Sequence, residues 1–227
     1  MAPFPTSSSG FSETSYLFKI TPPSSDPMDL FKGWLEAAKE ADVPFANRIS
    51  VSSSSSTGHV TSRSLLLRQL DDDGFIIMTD RRSLKCKQWE DNPVVAFTFF
   101  WGYKLGERTI ARQVRAEGRI EELSSSEYAH IYNGEPLYCK IRSHICHQGQ
   151  RIEWDELKSS HDELLQEVKA GFKTLSQPNH VATYKLHPTM LEFYEADDVS
   201  IGDRIVFLRD NGINEWKGSW KHHHIAA

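Results

Sequence analysis

With 227 residues, 39% of them hydrophobic and 25% charged, the chain has the make-up of one globular domain able to bury a core unaided. A formal charge of −5 removes the electrostatic case for nucleic acid or an anionic membrane as partner, and three cysteines without Cys-x-x-Cys spacing remove a disulfide framework. No run approaches the roughly 20 apolar residues of a spanning helix, and the Ser/Pro-rich start lacks a signal-peptide core, so a cytoplasmic protein is expected.

Residues 1–25 carry Pro3, Pro5, Ser7 to Ser9, Pro22, Pro23, Ser24 and Ser25, too little apolar surface to order themselves. They are expected to form a flexible arm ahead of a domain covering 26–227, with Tyr16, Leu17 and Phe18 as a patch suited to docking. A helix then begins: Asp26 is placed to cap it, Pro27 suits its first position, and Asp29 meets the positive end of its dipole. Leu30, Phe31, Trp34, Leu35 and Ala38 recur on one face until Pro44 stops it. Strands are predicted over 48–53, 60–68 and 75–79, with Asp71 to Gly74 turning the last pair. Ser83 caps a short helix that Pro93 ends. The aromatic run 94–101 reads as a strand buried on both faces, followed by a strand over 109–121. Ser124 and Glu127 have capping-box spacing for a helix, and 153–175 carries a second helical stripe with Leu157, Leu164, Leu165, Val168 and Phe172. Strands over 181–186, 190–194 and 204–209 follow, then a turn at Asp210 to Gly212 and a strand over 215–220. Strands, then helices, then strands argue for an antiparallel α+β barrel rather than a parallel sheet.

No Walker or Rossmann glycine spacing is present, and no Ser/His/Asp set stands out. The chemistry instead lies in cations and amides on barrel-type segments: Arg63, Lys85 and Arg204, with Gln113 and Gln148. Arginine, lysine and helix-terminal amides bind a phosphate dianion, and glutamine both donates to and accepts from a heterocycle edge. Taken singly, each is also an ordinary surface residue. His144 and His147 flank Cys146, and His222 to His224 form a second histidine group, but adjacent side chains on an extended tail face opposite sides; no metal site is expected.

The segments Arg63-Ser64-Leu65-Leu66-Leu67-Arg68, Gly74 to Asp80, Ser83-Leu84-Lys85, Asn92-Pro93, 97–101, Arg112-Gln113-Val114, Glu117-Gly118, His147-Gln148, Glu192-Phe193-Tyr194 and Asp203 to Phe207 resemble, in this order, the pyridoxine/pyridoxamine 5'-phosphate oxidase family. The likeness spans roughly residues 28 to 216, and its strength lies in the order of motifs that are individually weak. The resemblance implies an FMN-binding split β-barrel and a homodimer that holds each flavin between its two halves. Arg63 and Lys85 would bind the FMN phosphate, and Ser64 belongs to the same strand motif. Leu65 and Leu66 would present backbone groups to the flavin, Met78 and Thr79 its other side, and Gln113, Gln148 and Arg204 its ring and ribityl groups. Tyr194 would supply an aromatic surface. The implied activity is hydride transfer from a small substrate to flavin N5, with dioxygen or another acceptor reoxidising the flavin. No protein acid or base is identified for it.

Departures gather in the family's substrate site. Arg68 replaces the lysine that meets the substrate phosphate, and Ile131, Glu135 and Cys139 replace its Tyr, Arg and Ser. A carboxylate at Glu135 would repel a phosphate dianion. Ser200-Ile201-Gly202 replaces an Arg-x-His pair, and the closing Arg-Leu-x-Pro signature gives way to 220–224. Leu84, Gly149 and Tyr194 replace three residues around the flavin. The expectation is therefore a retained cofactor and a changed substrate. The alternatives are a working oxidase that makes pyridoxal 5'-phosphate, and a non-catalytic FMN or B6-vitamer binding protein.

Overall fold

The computed structural model describes residues 15–210 and 218–227. Helix α1 (Pro27–Glu40) starts where the sequence places it: the Asp26 carboxylate accepts from the Met28 amide at 2.9 Å, and the predicted apolar face is buried. After it run β2 (Arg48–Ser54), β3 (Val60–Leu70), β4 (Phe75–Asp80), α2 (Leu84–Asp91), β5 (Val94–Leu105) and β6 (Arg108–Glu122). Three helices follow, α3 (Ala129–Asn133), α4 (Leu137–Ile145) and α5 (Trp154–Lys169), then β7 (Val181–Ala196), β8 (Ser200–Ile201), β9 (Asp203–Arg209) and β10 (Trp220–Ile225). A two-residue strand, β1 (Tyr16–Leu17), lies parallel to β8, and the Ile20 amide donates to Asp203 Oδ2 at 2.7 Å, so the chain is docked on the body from Tyr16 onward. None of the helices among the described residues is long and apolar enough to cross a membrane.

The main sheet runs β10-β9-β7-β4-β3-β2-β5-β6, and an added β7–β6 pairing closes six of its strands into a barrel. Strand β7 is where the sheet splits. Its first half pairs with β4 and its second half with β9, while β6 runs along its other edge through both. The two strands expected over 181–186 and 190–194 are thus one strand. Pro188, which cannot donate to a ladder, sits opposite Gly118 where the register shifts. A Cβ at Gly118 would lie 2.0 Å from the His187 carbonyl oxygen, so only glycine fits there.

Phe31 on α1 plugs the barrel, meeting Phe75 and Phe99 edge-on at 4.9 and 4.8 Å between ring centroids. Trp34 meets Phe193 in the same way at 5.3 Å. Burying each such ring is worth about 2–3 kcal/mol before entropy is counted.

Strand β5 alternates rather than burying both faces: Phe97, Phe99 and Trp101 point inward, whereas Phe100 is 65% exposed. The Ser124–Glu127 capping box does not form. The Ser124 hydroxyl bonds Ser126 instead, and the helix starts at Ala129. The helix expected over 153–175 ends at Lys169; of its stripe only Leu164 is fully buried, and Phe172 lies beyond it, exposed. Of the last predicted strand, 215–217 lies outside the described residues, and the observed strand begins at Trp220 and carries the three histidines. His222 packs on Phe207, and His224 Nδ1 donates to Asp203.

Candidate functional site

Arg63 lies opposite Val51, a core residue, so its side chain runs toward the barrel under α2. Its guanidinium donates to the Val51 carbonyl at 3.2 Å, to Ser53 Oγ at 2.7 Å and to Thr61 Oγ1. Gln88 of α2 accepts from the same two hydroxyls through Oε1, tying α2 to this spot. Lys85 is 3% exposed, and its Nζ donates to Ser83 Oγ at 2.8 Å and Gln148 Oε1 at 3.0 Å. The Ser83 hydroxyl is therefore used on the lysine and does not cap the helix as the sequence suggests.

Burial holds the Lys85 ammonium below the ordinary lysine range, and the nearby Arg63 charge adds to the depression. Burial likewise lowers Arg63, and it pushes the Cys86 thiol up, so that side chain stays neutral beside the lysine. Among the described residues neither Arg63 nor Lys85 is in an ion pair. Two cations, one buried and one partly so, that hydrogen-bond only to neutral acceptors next to the N-terminus of α2 have the chemistry to hold an anion.

Beside them lies a cavity of about 330 Å³. Leu65, Met78, Tyr132 and Val181 provide apolar wall, with Ser64, Thr79 and Gln148 as neutral polar groups. Arg68, expected to meet a substrate phosphate, also lines it but is engaged: Glu135 takes Nη2 on both carboxylate oxygens, at 2.8 and 3.0 Å, with the glutamate side chain 4% exposed. Glu135 therefore neutralises Arg68 directly, in addition to the repulsion expected from sequence. Cys139 and Arg142, one turn apart on α4, complete this wall, with Arg142 Nη2 3.8 Å from Cys139 Sγ. A broader concavity of about 540 Å³ between α1 and β3 shares Arg68 but holds none of the residues expected at the flavin.

Gln113, Tyr194 and Arg204 form a separate group. Gln113 lies opposite both Phe100 and Tyr194, and Tyr194 opposite Arg204. Their neighbours along β6 and β7, Val114 and Phe193, pair with each other and are buried inside the barrel, so alternation sends this row outward. Arg204 lies over the Tyr194 ring at 5.1 Å and donates to Glu192 at 3.2 Å, while its buried Nε has no partner. Among the described residues no hydrogen bond, ion pair or ring contact joins this row to Arg63, Lys85 and Gln148. Leu66 faces outward opposite Arg48.

Sequence reasoning missed Ser53, Thr61 and Gln88, whose alignment depends on pairings between distant segments. Arg142 was legible in principle, since it lies three residues after Cys139 on the same helical face.

The fold so described is the antiparallel α+β split barrel of FMN-binding proteins. PhzG from Burkholderia lata, solved in complex with tetrahydrophenazine-1-carboxylic acid, superposes with a TM-score of 0.79 at 24% identity, over 93% of this chain and 99% of that one. A pyridoxamine 5'-phosphate oxidase-related, FMN-binding protein from Nostoc punctiforme superposes with a TM-score of 0.64 at 15% identity, over 87% and 97%. No family model matches the chain. Curated proteins named pyridoxine/pyridoxamine 5'-phosphate oxidase are similar along most of it: that of Bordetella petrii is 29% identical over 198 residues, 87% of each chain, and that of Trichormus variabilis 26% over 204 residues, 89% of each. The chain is thus similar, at under 30% identity and along most of its length, to proteins named pyridoxine/pyridoxamine 5'-phosphate oxidase.

Proposed function

We propose that this protein is an FMN-dependent oxidoreductase whose substrate differs from the family's phosphate ester. The observation that carries the reading is the Arg63–Lys85 pair, the lysine buried and the arginine partly buried, neither in an ion pair among the described residues, and adjacent to a cavity with apolar walls. That donor set fits a phosphate tail: the guanidinium and ammonium hold the charge, with the Ser53, Thr61 and Ser83 hydroxyls beside them. Ser64, Leu65, Met78 and Thr79 would flank the ring, Leu66 would offer its backbone alone, and Gln148, already on Lys85, would reach the ring's polar edge. When bound, FMN supplies the hydride acceptor; the protein supplies orientation and electrostatics.

The outward row of Gln113, Tyr194 and Arg204 supports a homodimer in which one subunit's row completes the other's site. It carries polar groups suited to a heterocycle, stands apart from its own subunit's cations, and adjoins the exposed Phe100. A cytoplasmic location is the accompanying expectation.

The purified protein mixed with FMN should turn yellow and retain the colour on gel filtration. Without air, the visible band should bleach when a true substrate is added and return on aeration. Protein that takes up no FMN refutes the reading. Uptake without bleaching by any reduced cyclic metabolite favours the second reading, a flavin-binding protein without turnover, which the closed Arg68–Glu135 pair also supports.

A further inference from the structure

Of the four aspartate, glutamate, lysine and arginine side chains lining the 330 Å³ cavity, three are committed within the protein. Arg68 and Glu135 are paired with each other. Asp80 holds Arg82, with 2.7 Å between Arg82 Nη2 and Asp80 Oδ2, and the same arginine also donates to the Cys146 carbonyl at 2.8 Å. His180, which also lines the cavity, donates its Nε2 proton to the Ser143 carbonyl at 2.8 Å. Arg142 is different. Among the described residues this exposed side chain is in no ion pair, and its hydrogen bond goes to the weak acceptor Cys139 Sγ at 3.8 Å.

We infer that Arg142 recognises a carboxylate on an unphosphorylated, cyclic substrate, while the Arg68–Glu135 pair rejects phosphate esters. The inference rests on the flavin reading above. The pair acts as an internal substitute for a bound anion: Glu135 takes Arg68 on both carboxylate oxygens, so a dianion entering there must break the pair or lie against a buried carboxylate. A monoanion needs only one cation. Arg142 offers a planar guanidinium whose geometry matches a carboxylate, and it lines the cavity together with Tyr132 and Val181, apolar wall that the flavin reading leaves unassigned.

Matched probe pairs that differ in the anion test this: quinoline-2-carboxylate against quinoline, and pyridoxine 5'-phosphate against pyridoxine. Each is titrated into the FMN-loaded protein and read by the shift of the flavin band and by calorimetry. FMN uptake is measured first, so its failure removes the flavin reading separately. With FMN bound, the wild type should favour quinoline-2-carboxylate over quinoline by about tenfold or more and show no preference for the phosphate ester. Arg142→Ala should erase the carboxylate preference, weakening quinoline-2-carboxylate far more than quinoline. Glu135→Gln should free Arg68 and create a phosphate-ester preference of about tenfold; should that variant fold poorly, Arg142→Lys, which keeps charge but loses the planar fork, should retain only part of the carboxylate preference. A wild type that prefers pyridoxine 5'-phosphate, or that shows no carboxylate preference, would overturn the inference, as would an Arg142→Ala protein that keeps it.

Discussion

Arg63 and Arg68 stand five residues apart on one strand, and their partners give them opposite properties. Arg63 gives its protons to a backbone carbonyl and two hydroxyls, so its charge stays available beside Lys85. Arg68 gives its protons to Glu135, so its charge is cancelled within the protein. Neutral acceptors orient a cation without spending it, whereas a buried carboxylate does both. The comparison divides the region in two: one end of β3 is prepared for an incoming anion and the other is closed to it.

Removing both open cations should have the largest effect. Each charge-assisted bond is worth about 1.5–3 kcal/mol, so Arg63→Ala with Lys85→Ala should weaken FMN binding by about a thousandfold or more, measured by fluorescence quenching. A loss under tenfold would mean the pair does not hold the phosphate.

Breaking the closed pair should act on stability instead. Glu135→Ala leaves Arg68 unpaired and should cost about 2–3 kcal/mol in urea unfolding, at or below the low end for buried pairs because Arg68 is partly exposed. Arg68→Met combined with Glu135→Leu should recover most of that loss, because replacing both ends removes the uncompensated charge. A double variant as weak as the single one would show that the pair is not self-contained.

A third, smaller effect lies in pH. Lys85 in the flavin-free fold titrates below the ordinary lysine range. A phosphate dianion favours the ammonium, so FMN affinity should begin to fall as pH rises toward that range, while riboflavin affinity stays flat. Stability of the flavin-free protein should move the other way. The folded form loses its proton before the unfolded chain does, and so gains relative stability as pH rises between the two values. Equal pH profiles for FMN and riboflavin would separate Lys85 from the phosphate.

Much of this was readable from sequence because its causes are local. The Asp26 cap, the apolar face from Leu30 to Ala38 and the glycine turn after Asp73 each follow from residues within a few positions of one another. What misled the reading was context. Pro188 looks like a strand break, yet it falls at the β6–β7 register shift, where Gly118 leaves room for the His187 backbone. The aromatic density of β5 suggested two buried faces, although alternation buries one. Ser124 and Glu127 have the right spacing, but the serine hydroxyl is taken by Ser126. The cofactor-type residues were legible by resemblance; their separation into an inward cation pair and an outward row was not, because it depends on register across the closed barrel. The Arg68–Glu135 partnership joins residues 67 apart in sequence, and no local rule announces it.

The most direct trial of the contrast is calorimetric titration of FMN and riboflavin, which differ only in the phosphate, into wild type, Arg63→Ala and Arg68→Met. The two ends of β3 predict that FMN binds wild type and Arg68→Met about a hundredfold or more tighter than riboflavin, and that Arg63→Ala loses most of this gap. Equal affinities for the two flavins in wild type, or a gap lost in Arg68→Met and kept in Arg63→Ala, would contradict it.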